Sequence, residues 1–114
     1  MAEKEEKPVE FCGDSLKRLR DFPVGARQEM GYQVDKLQRG GQPDDFKPMK
    51  TVGAGVYEIR VEDDTNEFRS FYIAKRKDAI YILHCFQKKT RQTAPADIAL
   101  GKQRLKELPP EPSD

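Results

Sequence analysis

Arg60 and Arg69 stand on two runs of alternating residues separated by a turn, and the only histidine, His84, is followed by Phe86, Gln87, Lys88, Lys89, Thr90 and Arg91. Cations grouped in this way hold oxyanions. An imidazole can move a proton near neutrality, and an aromatic ring offers a flat face for stacking. Pairing Glu62 with Glu67 across the Asp63–Asn66 turn (DDTN) sets Arg60 roughly opposite Arg69. Two like charges across a ladder cost stability unless an anion lies between them. That anion is either Glu58 or Glu62 in an internal network, or a bound phosphate.

The candidates differ in weight. A lone histidine among apolar neighbours is more often structural than reactive. Lys88 and Lys89 beside Thr90 and Arg91 have no acidic neighbour in the sequence and suit phosphate contacts. Lys47 and Lys50 add two cations in Phe46–Lys50 (FKPMK), relevant only if that stretch folds over the Arg60 face. Lys75–Arg76–Lys77, closed by Asp78, reads as a solvated hairpin tip. The chain has no G-x-x-x-x-G-K-[ST] loop, and Gly53-Ala54-Gly55 is short and precedes a strand. One histidine and the two distant cysteines, Cys12 and Cys85, match no zinc spacing, so no metal or cofactor is expected. Asp44–Asp45 and Asp63–Asp64 are turn acids, and both cysteines read as small buried hydrophobes.

Elements must carry these side chains. Pro8–Gly13 is a short extended segment. Asp14 is a candidate N-cap for a helix that Pro23 ends. A second helix spans about Val24 to Arg39, with Met30, Val34 and Leu37 as its apolar stripe and Gly40–Gly41 as its stop. These two helices form a hairpin. Gln42–Met49 reads as a loop. Beyond it the period changes to two: Gly55–Glu62, Glu67–Ala74 and Ala79–Phe86 form an antiparallel meander with Glu67–Ala74 in the middle. The nearly all-apolar third strand is expected to be covered on both faces. Gln87–Ala94 is a basic loop. Pro95 opens a final helix, with Asp97 in its first turn and Lys102, Arg104 and Lys106 as a cationic side.

At 114 residues, with hydrophobic and charged fractions both 36%, this is one small domain with a heavily solvated surface. It is expected over 8–108, with 1–7 and 109–114 as disordered tails. The net charge of +1 conceals an asymmetry: residues 69–106 hold ten Lys/Arg against two acids, a balance of +8, which leaves −7 for the remainder. That is a local anion-binding surface. No run is long and apolar enough to span a bilayer, and Glu3, Glu5 and Glu6 stand where an export signal would be apolar, so a cytoplasmic protein with reduced thiols is expected.

This arrangement resembles the RelE/ParE toxin superfamily, and within it the phage-derived, HigB-like branch. The match is carried by Lys47–Lys50, Gly55–Arg60 (GVYEIR), Phe68-Arg69 with Phe71-Tyr72, and Leu83–Thr90 (LHCFQKKT), and covers roughly Val9 to Leu108. The resemblance implies an α+β, RelE-like fold: an N-terminal helical hairpin packed on a small, mainly antiparallel sheet, with a C-terminal helix. It implies the toxin of a type II toxin–antitoxin pair, a metal-independent endoribonuclease (mRNA interferase) that cuts mRNA, in this family often on the ribosome. A cognate helix-turn-helix antitoxin would silence it. By that resemblance the catalytic set is Arg60, Arg69, His84 and Lys89, with Arg69 stabilising the phosphorane-like state. Lys47, Lys50, Phe86, Lys88, Thr90 and Arg91 bind RNA. The sequence departs from relatives at Glu58, where some carry a lysine; an acid there blunts the site or acts as its base. The C-terminal tyrosine some relatives use has no counterpart after Tyr81. Two other functions fit the same fold: a ParE-like gyrase-binding inhibitor, and a non-catalytic phage-derived RNA-binding relic.

Overall fold

The computed structural model of the chain describes residues 6–111. Five strands and three helices follow one another as β1 (Val9–Phe11), α1 (Ser15–Arg20), α2 (Val24–Gln38), β2 (Phe46–Pro48), β3 (Tyr57–Asp63), β4 (Asn66–Ile73), β5 (Ile80–Lys88) and α3 (Pro95–Lys106). The fold is α+β with one mixed sheet, ordered β1-β5-β4-β3-β2. Only β1 runs parallel to its neighbour, β5.

The expected meander is present with its register: Glu62 faces Glu67 and Arg60 faces Arg69 across β3 and β4. Asp64, at φ +32°, makes the tight turn between them. The short turn chemistry therefore dictates which side chains meet at the far end of the hairpin. Gly40, at φ +88°, closes α2: Gly41 N–H donates to the Lys36 carbonyl at 2.8 Å and Gly40 N–H to that of Leu37 at 3.0 Å.

Three local expectations are corrected. Phe46–Pro48 is not loop but an edge strand, pairing Lys47 with Glu58. β5 continues through Gln87 and Lys88 because Lys88 still pairs with Glu67 on β4, so the basic loop begins at Lys89. Asp14 precedes α1 without a side-chain capping bond; its carboxylate instead meets Arg18 at 2.9 Å and Arg104 at 3.0 Å.

The sheet is covered on both sides. On one face α1 and α2 bury Leu19, Ala26, Met30, Val34 and Leu37 against Ile59, Val61, Phe68, Ile80 and Ile82. On the other, α3 and the 49–56 turn enclose Phe71, Leu83, Phe86, Val52 and Val56. Gly101 permits the close approach of α3, since a Cβ there would sit 2.8 Å from the Phe71 ring and 3.0 Å from Val52 Cγ1. Of the expected tails, residues 1–5 and 112–114 lie outside the described residues. Lys7 is anchored, its N–H donating to the Gln38 carbonyl at 3.0 Å and its ammonium to that of Ala74 at 2.6 Å. No helix among the described residues is long and apolar enough to cross a membrane.

Candidate nucleic-acid interface

Side chains on alternate positions of a strand share a face. The register therefore sets Glu58 and Arg60 of β3 beside Arg69 and Phe71 of β4, which in turn face Phe86 and His84 of β5. Lys47 of β2 joins the same face opposite Glu58. At its inner end this row is apolar and tightly packed. Phe86 stacks on His84 with ring centroids 5.0 Å apart and meets Phe71 edge-on at 5.1 Å.

Arg69 and Glu58 form the buried centre, at 0% and 1% exposure. Arg69 Nε lies 3.6 Å from Glu58 Oε1. Its terminal nitrogens reach the Glu67 carboxylate and, at 3.1 Å, the Phe68 carbonyl. Glu58 Oε2 and Arg69 Nε have no hydrogen-bond partner. Burial pushes the Glu58 carboxyl above the ordinary glutamate value, against the lowering pull of Arg69, Lys47, Arg60 and Lys88 in that order. Desolvation thus outweighs four cations. Of these, Lys47 Nζ lies 3.8 Å from Glu58 Oε1. Arg60 is turned partly to solvent and sits 3.9 Å from Asp45.

A groove of about 640 Å³ opens beside this pair, lined by Lys47, Lys88, Arg91 and Lys102, with Met49 and Ile98 as apolar wall. No acid lines it. Lys88, Arg91 and Lys102 have no ion-pair partner among the described residues, so the groove carries uncompensated positive charge. Each cation comes from a different place: the sheet edge, the end of β5, the 89–94 segment and α3. Lys102 was grouped by sequence with Arg104 and Lys106, but a helix turns about 100° per residue and separates positions two apart. Pro95, Ile98, Ala99 and Lys102 share the groove face, whereas Arg104 points away to Asp14 and the Cys12 and Leu83 carbonyls, each at 3.0–3.1 Å.

The ten residues singled out in the sequence therefore separate. Lys47, Lys88 and Arg91 line the groove, and Arg60 and Arg69 flank Glu58 next to it. His84 is fully buried beneath α3, its Nε2–H donating to Asp97 Oδ1 at 2.7 Å while Nδ1 lacks a partner. Burial pulls its pKa below the ordinary value despite Asp97, leaving a neutral ring. Phe86 is 5% exposed and spends its faces on His84 and Phe71. Lys89 is exposed and does not line the groove. Thr90 is exposed, and its hydroxyl donates to the Gln92 carbonyl within the same segment. Lys50 lies in a separate depression with Pro48 and Tyr57. Glu58, which the sequence offers as the anion of an internal network or as the base of the site, lies buried at the centre of this face, a burial that strand alternation does not reveal. Among the described residues no cluster of three or more His, Cys, Asp or Glu is placed to hold a metal ion.

No curated protein matches the chain. A family model does, over residues 17–106, a span that runs from α1 through β5 and the groove to the end of α3. The chain accordingly belongs to the phage derived protein Gp49-like (DUF891) family, a toxin-like family of the RelE/Gp49 type.

Proposed function

We propose that this protein is the toxin of a type II toxin–antitoxin pair, an endoribonuclease that cuts mRNA without a metal and is silenced by a helix-turn-helix antitoxin. The observation that carries the reading is the buried Glu58 carboxyl, ringed by Arg69, Lys47, Arg60 and Lys88 at the edge of a groove with no acidic lining. A phosphodiester seated on Lys47, Lys88 and Arg91 draws Lys47 off the carboxylate. Glu58 then takes the proton of a ribose 2′-hydroxyl, and the 2′-oxygen attacks the adjacent phosphorus. The 5′-oxygen leaves with a proton from a lysine ammonium, giving a 2′,3′-cyclic phosphate and a 5′-hydroxyl end. A carboxyl whose pKa is raised by burial is a stronger base than an ordinary glutamate. In this scheme Arg69 is a positioning residue that holds Glu58, and the groove cations stabilise the charge on phosphorus.

RNA binding without cleavage is the second reading. It is favoured by Arg69, whose guanidinium is engaged by Glu67, Glu58 and the Phe68 carbonyl. The two separate on purified protein in EDTA with end-labelled RNA, free and on translating ribosomes. Cleavage predicts cyclic-phosphate ends, with Glu58→Gln about 10²–10⁴-fold slower at unchanged RNA affinity. Lys88→Ala should weaken binding and reduce the slope of log affinity against log salt by about 0.7. Binding without cuts leaves the second reading; neither binding nor cuts, with RNA intact in cells expressing the chain, sinks both.

A further inference from the structure

The edge strand β2 carries different chemistry on its two sides. Lys47 projects into the cationic groove, while its neighbours Phe46 and Pro48 line two depressions on the opposite face of the sheet. These depressions, of about 320 and 410 Å³, share Gly55 and Tyr57. Phe46, Tyr57 and Tyr72 form a run of three rings across β2, β3 and β4, with successive centroids 6.0 Å apart. Tyr72 is buried, but Phe46 and Tyr57 are each 37% exposed. They are two of the four exposed large hydrophobic side chains among the described residues, and they stand side by side. Neither belongs to the core that α1 and α2 bury on this face.

The charged side chains that line the two depressions are both lysines. Lys75 borders Tyr57 on one side and Lys50 on the other, and no acid lines either depression. Neither lysine has an ion-pair partner among the described residues. Lys75 also bends over Gly55, where a Cβ would fall 2.7 Å from its Nζ; Gly55 sits at φ +80°. Exposed rings interleaved with unpaired cations are the recurrent means of holding single-stranded nucleic acid, with bases on the rings and phosphates on the cations. A purely apolar protein partner would leave both lysines without a role.

We propose that Phe46 and Tyr57, with Lys50 and Lys75, form a second RNA subsite that stacks unpaired bases of a strand continuing from the cationic groove over the β2 edge. Only the thickness of one edge strand separates the two surfaces, because consecutive residues of β2 serve both. The subsite rests on the RNA reading of the groove and extends it: the substrate must be single-stranded beyond the nucleotides held by Lys47 and Lys88. Base contacts by rings are tolerant of sequence, so the subsite adds length dependence rather than codon preference.

The test uses 2′-O-methyl RNA, which cannot be cut, as a four-nucleotide and a twelve-nucleotide strand. Binding is read by fluorescence anisotropy. The twelve-nucleotide strand should bind more tightly, and Tyr57→Ala or Phe46→Ala should remove about five- to a hundredfold of that affinity while leaving the four-nucleotide strand unaffected. Abasic nucleotides in the outer part of the long strand should mimic Tyr57→Ala in the wild-type chain and add nothing in the variant. The chain has no tryptophan, so Tyr57→Trp gives a single reporter that preserves a ring. Its emission should be quenched by the long strand and not by the short one. If the wild-type chain binds both strands, but ring removal, abasic substitution and the tryptophan reporter all show no effect, the subsite is wrong and the groove reading stands. If it binds neither, both fall. If ring removal instead abolishes binding of an antitoxin protein and spares long RNA, the surface is a protein-docking face and the proposal is overturned.

Discussion

Removing the Arg69 side chain would strand a carboxylate. Glu58 is 1% exposed, Arg69 is the largest of the influences that favour its charged form, and Oε2 already lacks a hydrogen bond. Arg69→Ala leaves Glu58 buried and reliant on Lys47 at 3.8 Å, a side chain that is itself half-solvated. Breaking one side of a buried pair costs about 3–5 kcal/mol. The loss of Glu67 as a partner adds little, because that carboxylate is 42% exposed and returns to water. With a net stability of about 5–15 kcal/mol for a domain of this kind, Arg69→Ala sits near the edge of folding. Loss of activity in that variant would therefore say nothing by itself about chemistry. Glu58→Gln removes the stranded charge, and the double variant Arg69→Met/Glu58→Gln should show a favourable coupling of about 1–3 kcal/mol by urea denaturation at constant m-value. The cost of Arg69→Ala should also depend on pH. Without Arg69 the folded-state pKa of Glu58 rises further above its unfolded value, so the folded chain holds the extra proton and stability falls as pH rises through that window. The variant should thus lose more stability at about pH 8 than at about pH 5. A cost below about 1 kcal/mol, or coupling under about 0.5 kcal/mol, would refute the stranded-charge account.

His84 should titrate with the opposite sign. Its folded pKa is lowered by burial, so below the ordinary value of 6.5 the unfolded chain binds the proton that the folded chain refuses. The contribution is fully present above about pH 6.5 and is lost as pH falls toward the lowered folded value. The difference in urea midpoint between wild type and His84→Gln should change across that range, with the Glu58 effect common to both; parallel curves would contradict the burial. Gly101→Ala should destabilise by about 1–3 kcal/mol through the Phe71 and Val52 contacts at 2.8 and 3.0 Å, although alanine in an exposed helix would normally gain about 0.5–1 kcal/mol. A higher Tm for that variant would show that α3 does not press on the sheet as described.

Local pattern determined much of this molecule. Alternation marked β3, β4 and β5, and the DDTN turn was enough to set Arg60 opposite Arg69, because a two-residue connection leaves one register that keeps Ile59, Val61 and Phe68 on a single face. Gly40–Gly41 and Pro95 marked helix ends through backbone constraints that act within a few residues. What lay beyond reach was set by contacts distant in sequence. Phe46–Pro48 is too short to show a period, and becomes a strand only because β3 presents a free edge to it. Nothing local distinguishes Lys102, which faces the groove, from Arg104, which is tied to the segment ahead of α1; the seating of α3 decides that. The same seating encloses His84 and leaves Lys88 open, although both belong to β5. The sequence determined that Glu58, Arg60 and Arg69 share one face of a sheet. Tertiary packing decided which of them water and a ligand can reach, because burial depends on what covers a residue from elsewhere in the chain.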